Sequence, residues 1–292
     1  MGHVAISAGY YLMAKLGMHL MGEVTSPDLF DIDHIDVKDG ILRIGRLPRS
    51  RFFAWKDPLE KHDLVLFIGE AQPPLGKHTF CRGLIEQAVK LGVERVFTFA
   101  AMATQMHPSH GSRVFVAATD AETLGELKRL ELEVIEDGQI SGLNGVLLGV
   151  AAERQIKGAC LLGEIPHIFA QLPFPRASIS VLEAFTTIAG ISLDMTELAQ
   201  QAREMDERLG VLLAQVEQTM ESQPSQSEEE FASSELPEEE TLSPEARQRV
   251  EALFEKAKRD RAVAYELKRE LDRLGAYREY EDRFLDLFKK ND

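Results

Sequence analysis

Apolar positions along the chain change period several times, and each change marks an element boundary. From residue 3 to 21, Val4, Ile6, Leu12, Leu16, Leu20 and Met21 predict a well-buried helix, weakened at Gly9 and Gly17. Strands are predicted at 33–37, 41–46 and 51–55, with Lys38-Asp39-Gly40 as the hairpin turn between the first two. Residues 64–68 are a continuous apolar run between Asp63 and Gly69, the pattern of a strand covered on both faces. A helix over 75–91 ends at Gly92, and a buried strand follows at 96–99. The alternation continues through strand 113–118, helix 121–129, strand 132–135, helix 145–154, strand 159–162 and helix 177–189, closed by Gly190.

Strands separated by helices of this length predict an α/β fold, a βαβ sheet with helices on both faces, over residues 1–194. Asp194 is placed to cap a long helix over 195–221, along which Leu198, Ala202, Met205, Leu209, Leu212 and Val216 recur at heptad spacing. So narrow a seam calls for a partner helix. Residues 222–243 are polar, acidic and rich in Pro and Ser, and predict a disordered linker. Ser243-Pro244-Glu245 starts a fresh helix, and a second seam through Val250, Leu253, Ala257, Ala264, Leu267, Leu271 and Leu274 is broken by Asp260. Tyr277, Tyr280, Phe284, Leu287 and Phe288 add a third stripe, so residues 244–292 are expected to form a helical hairpin that docks on something larger. Leu198, Met205, Leu209, Leu212, Val216, Leu267, Leu271 and Phe284 are the candidate interface residues, and self-association into a homo-oligomer is expected.

Charge narrows the partners. The formal net charge is −15, with eight acidic and no basic side chains in 221–243. Such a surface repels phosphate backbones, so nucleic acid is not expected. No apolar stretch approaches the roughly 18 residues of a membrane span. The two cysteines, Cys81 and Cys160, are too few for a disulfide framework or a thiolate metal site, which fits a reducing cytoplasm.

Candidate chemistry is sparse. Ser141-Gly142-Leu143-Asn144-Gly145 could present backbone N–H groups and a helix N-terminus to an anion. It lacks the Lys-Ser/Thr pair of Walker loops and the Gly-x-Gly-x-x-Gly of dinucleotide loops. The competing reading is structural, with Asn144 capping the helix and the glycines allowing close approach to the sheet. Strand ends bring Glu70 and Glu164 into view, since open α/β sheets place ligands there. Glu164 with His167, and His107 with His110, are pairs without a third ligand, so no metal site is expected. No nucleophile elbow is present, and neither catalytic residue nor cofactor is assigned. Glu70, Asn144, Gly145 and Glu164 remain the ligand-binding candidates.

Three passages carry a family resemblance: Met1-Gly2-His3-Val4 leading into a helix; residues 142–149; and Leu162-Gly163-Glu164 followed by Pro173-Phe174-Pro175 and the helix running into Gly190-Ile191-Ser192-Leu193-Asp194. In order and interval they resemble the bacterial and archaeal branch of the proteasome-assembly-chaperone (PAC2-like) family over residues 1 to about 200. That resemblance implies a three-layer αβα sandwich, similar to nucleoside phosphorylases and hydrolases, used for binding and assembly. It implies a protein client or proteasome-related partner. It also leaves an alternative, a phosphorylase- or hydrolase-like enzyme or small-anion-binding protein working at the strand ends. The C-terminal hydrophobic-Tyr-any tripeptide by which an archaeal relative docks on the proteasome is replaced by Lys290-Asn291-Asp292, so docking by that route is not expected. Family members usually carry a buried strand running into the Met-Gly-x-Val position. With Met1 at that position, either a late-assigned start or a sheet lacking a strand is expected, and a missing strand would leave a slot or edge for another chain.

Overall fold

A computed structural model describes residues 1–31, 35–38, 40–43, 46–222 and 242–289. The expected linker over 222–243 and the terminal Lys290-Asn291-Asp292 fall wholly or mainly outside the described residues, as do Asp33 and Asp39 of the predicted hairpin. Helix α1 (Val4–Lys15) stops well short of Met21. Gly17, at φ +60°, turns the chain, and Leu20 and Met21 enter strand β1 (His19–Val24). Short β2 (Asp36–Lys38) and β3 (Ile41–Arg43) pair as a ribbon. Then come β4 (Ser50–Trp55), β5 (Leu64–Gly69), α2 (Lys77–Lys90), β6 (Arg95–Thr104), β7 (Val114–Ala118), α3 (Ala121–Arg129), β8 (Glu133–Val134), α4 (Gly142–Glu153), β9 (Lys157–Pro166) and α5 (Pro175–Ala189). Helix α6 (Thr196–Ser222) leads out of this core, and Asp194 Oδ1 accepts from the Thr196 amide at 3.0 Å at its start.

The strands form two main sheets flanked by helices. One is antiparallel, ordered β1-β4-β5; the other is mixed, ordered β6-β9-β7-β8. β9 is the central strand. It pairs in parallel with β6 and antiparallel with β7, and every residue after Lys157 is buried, as a strand covered on both faces requires. It also runs four residues beyond the predicted 159–162, because Pro166 can end a strand whose ladder it need not extend.

Residues 244–289 fold as three helices, α7 (Pro244–Arg259), α8 (Ala264–Arg273) and α9 (Tyr277–Asp286), and not as the expected hairpin. Asp260 breaks the long seam: its carboxylate accepts from the Ala262 amide at 3.0 Å and starts a 3₁₀ turn. α8 and α9 pack on the chain's own α1, and α7 packs on α8. Tyr10 and Tyr277 share a hydroxyl hydrogen bond of 2.7 Å, Tyr11 meets Tyr265 edge-to-face at 4.7 Å, and Phe284 packs edge-on against Tyr10. The Leu20 amide donates to Phe288 O at 2.7 Å, and Phe288 reaches Phe53 of β4. Lys268 lies 3.8 Å from the Tyr277 ring centre and pairs with Asp272.

Burial holds the phenols of Tyr10, Tyr11 and Tyr277 above their usual value of 10.0 and pushes Tyr265 up to about 12. Phenols that ionise more readily unfolded than folded contribute stability that is whole below pH 10 and declines above it. The urea midpoint is therefore expected to hold up to about pH 10 and to fall progressively above it, with the 295 nm absorbance of these four phenolates appearing together with unfolding rather than ahead of it.

Candidate functional site

The glycine turn that opens α4 is partly committed to structure. Gly142 sits at φ +74°, and Gln72 Oε1 accepts from the Leu143 amide at 3.1 Å, taking one of the donors an anion would use. A Cβ on Gly145 would stand 1.9 Å from Ile140 O, so only glycine lets the helix start so close to the preceding backbone. Asn144 is inside the first turn and does not cap it. Its Nδ2 donates instead to Phe99 O in the middle of the neighbouring β6, at 2.7 Å.

Glu70 stands just past the end of β5 in a cluster of arginines. It accepts from Arg46 (2.8 Å), Arg51 (2.7 Å) and the Arg49 amide (2.9 Å). Burial raises the Glu70 carboxyl, but the Arg49 amide and the guanidiniums of Arg46 and Arg51 outweigh it and hold the group below the usual carboxylate range. The same arginines reach across to α9, Arg46 to Glu281 and Arg49 to Asp282. Burial and the neighbouring Glu70 raise Glu281. The cluster thus clasps the last helix to the β4–β5 edge.

Glu164 is buried in β9 and bound on every side: Arg113 Nε and Nη2 at 2.8 and 2.7 Å, and Thr104 Oγ1 at 2.7 Å. The Arg113 guanidinium holds its carboxyl low. Glu164 borders a pocket of about 510 Å³ with Thr104, His110 and Arg113. Glu70 and Asn144 border a different one, so the three polar candidates do not converge. Burial pushes the thiols of Cys81 and Cys160 up to about 11, which keeps them protonated. Among the described residues, no group of three or more His, Cys, Asp and Glu is placed to hold a metal ion.

The larger feature is a cleft of about 1140 Å³ between the two main sheets. β5 and residues 95–99 of β6 bound it from opposite sides, Ile6 and Leu12 of α1 cover one face, and Leu84 of α2 and Leu147 of α4 cover the other. Periodicity alone could not locate it, because the feature lies between strands rather than on one.

Most of the seam residues face inward. Leu198, Leu209, Leu267, Leu271 and Phe284 are buried in the chain's own core and Met205 is partly buried, so the surface they form is intramolecular. Leu212 and its neighbour Val211 remain exposed. The side chain of Val216 lies outside the described residues.

The model of the PAC2 family matches residues 1–213. The chain belongs to the PAC2 family. Among solved structures, this PAC2 chain is similar to Pyrococcus furiosus PbaB, an archaeal proteasome activator, at 27% identity and TM-score 0.62, covering 73% of this chain and 89% of that one. It shares its fold with the Mycobacterium tuberculosis proteasome-assembly chaperone homologue Rv2125, at 22% identity and TM-score 0.63, covering 72% and 89%. It is also 26% identical over 161 residues to an uncharacterized Methanocaldococcus jannaschii protein, MJ1210, covering 54% of this chain and about 60% of that relative's length. No described helix is long and apolar enough to cross a membrane.

Gly145→Ala is expected to lower stability by about 1–3 kcal/mol, since the added methyl must displace backbone. Gly149→Ala, in the same helix with nothing within 4 Å of its Cβ, is expected to be neutral or to stabilise by up to about 1 kcal/mol. Urea unfolding of both variants checks the contrast.

Proposed function

We propose that this PAC2 chain is a cytoplasmic, non-enzymatic assembly-chaperone-like protein that works by binding other polypeptide, with proteasome core subunits as its clients. The observation that carries this reading is the occupation of its polar candidates: Glu70 and Glu164 are spent on arginines and Asn144 on a backbone carbonyl, whereas the larger part of the cleft's open surface is apolar. The names of PbaB and Rv2125 support the choice of client. Burial of apolar area, at roughly 25 cal/mol per Å² before ordering costs, supplies the affinity. Self-association belongs to the same proposal, through the end of α6 where Leu212 continues the seam past the point at which the chain covers it.

Purified full-length chain mixed with unassembled proteasome core subunits of its own organism is expected to give a complex of micromolar or tighter affinity on native gels and by light scattering. Persistent separation of the components at saturating concentration would contradict the client assignment. Alone, the chain is expected to scatter as a species heavier than 32.7 kDa, with Leu212→Lys moving it toward that mass. A monomer at high micromolar concentration contradicts the self-association.

A further inference from the structure

The ribbon of β2 and β3 carries an apolar face that the described residues leave bare. Its register sets Val37 opposite Leu42 and Lys38 opposite Ile41. Residues directly opposite one another share a face, so Val37 and Leu42 stand together on one side and Ile41 stands on the other. Ile35, two residues before Val37, falls on the first side by alternation. Val37 is 64% exposed and Leu42 73%, and Ile35 and Ile41 are exposed as well. None of the four joins a hydrophobic cluster among the described residues. Single exposed aliphatic residues need no explanation, whereas four within eight consecutive positions form a patch.

The body of the protein holds this ribbon at both of its roots. Before it, Phe30 packs edge-on against Phe80 of α2 at 6.1 Å. After it, Arg46 pairs with Glu70 and Glu281, and Arg49 with Asp282. Two strands of three residues are marginally stable in water on their own, so a ribbon fastened at its roots still gains from a cover on its apolar face. Charge indicates what that cover is. The chain carries a net −15, so two copies repel wherever their acidic surfaces face each other. Residues 35–43 hold two acidic and two basic side chains, a neutral stretch at which two copies can meet. The 221–243 stretch of the chain, with eight acidic residues, gains no such advantage there. A two-fold contact uses the same patch on both copies, with Val37 of each meeting Leu42 of the other.

We propose that the Ile35, Val37 and Leu42 face of the ribbon docks on the same face of a second copy of this chain, the two ribbons stacked about 10 Å apart around a two-fold axis. This contact is distinct from the α6 seam and stands without it. Each copy offers on the order of 300 Å² of apolar surface, against roughly 800 Å² per partner in a stable interface, so the contact is weak and concentration-dependent.

The test uses the full chain carrying Leu212→Lys, which removes the α6 contact and isolates the ribbon. Sedimentation velocity is expected to show a dimer with a Kd of about tens of micromolar. Val37→Thr together with Leu42→Thr keeps the strand preference while removing apolar surface, and is expected to weaken the dimer about tenfold or more with unchanged circular dichroism. Ile41→Thr, on the opposite face, is expected to change it less than about twofold. Cys81 and Cys160 are buried, so an introduced thiol reports proximity. Mild oxidation of mixed Val37→Cys and Leu42→Cys chains is expected to give disulfide-linked dimers, and that of Leu75→Cys, exposed on another loop, is not. A Leu212→Lys chain that stays monomeric at several hundred micromolar overturns the ribbon contact and leaves the α6 seam standing. A dimer indifferent to the Val37 and Leu42 changes, or weakened equally by Ile41→Thr, also overturns it, as does cross-linking of Leu75→Cys as ready as that of the mixed pair. Wild-type chain no more associated than its Leu212→Lys variant, with the Val37 and Leu42 changes still effective, supports the ribbon and contradicts the seam.

Discussion

Helix α1 is apolar on nearly every side, and the rest of the molecule is arranged around covering it. Val4, Ala8 and the run from Tyr10 to Ala14 are all buried. A helix of this kind has no face to give to water, so two layers are insufficient. The sheets and α5 cover part of it, and α8 and α9, backed by α7, cover more from the far end of the sequence. The two tyrosines set the terms of that cover, because a buried hydroxyl needs a partner. Asp194 O serves Tyr11 at 2.7 Å and Tyr277 serves Tyr10. Residues 244–289 therefore belong to the hydrophobic core.

Electrostatics follows from this closure. Bringing α9 against the β4–β5 edge places Glu281 beside Glu70, two carboxylates in a half-buried site, and the arrangement holds because Arg46, Arg49 and Arg51 stand between them. Such a cluster is a fastening, with each charge committed to another. The same holds at Glu164, whose partners are fixed by the β7 and β6 ends. Among the described residues, what the fold leaves open is more apolar than polar: the cleft flanked by β5 and β6, and the exposed Val211 and Leu212 of α6. That division supports binding of polypeptide over covalent chemistry.

Much of the core was legible in local patterns. The run at 64–68, the helix over 121–129 with Asp120 accepting from the Thr123 amide, and the helix closed by Gly190 each carry their own boundary signals. β1 was not legible, because Leu20 and Met21 also continue the helical spacing of α1 and only the left-handed backbone at Gly17 separates them. The seam residues were correctly apolar, but heptad spacing defines a face without naming what covers it. Here the cover for Leu198, Leu267 and Phe284 is the chain itself. The site was least legible of all. Glu70 was visible at a strand end, yet its arginines and the α9 carboxylates come from separate segments, and Asn144's acceptor, Phe99 O, lies on another strand. The cleft lies between strands and is lined by segments far apart in the sequence, which the pattern of any one of them does not record.

All five tyrosines lie in α1, α8 and α9, while the single tryptophan, Trp55, lies in β4. Urea unfolding of the full chain, followed at once by tyrosine near-ultraviolet dichroism and Trp55 fluorescence, therefore tests directly whether the C-terminal helices share the core. Coincident transitions with one midpoint are the predicted result. Loss of the tyrosine signal at lower urea, with Trp55 still native, would show the helices to be a separable appendage and contradict the account.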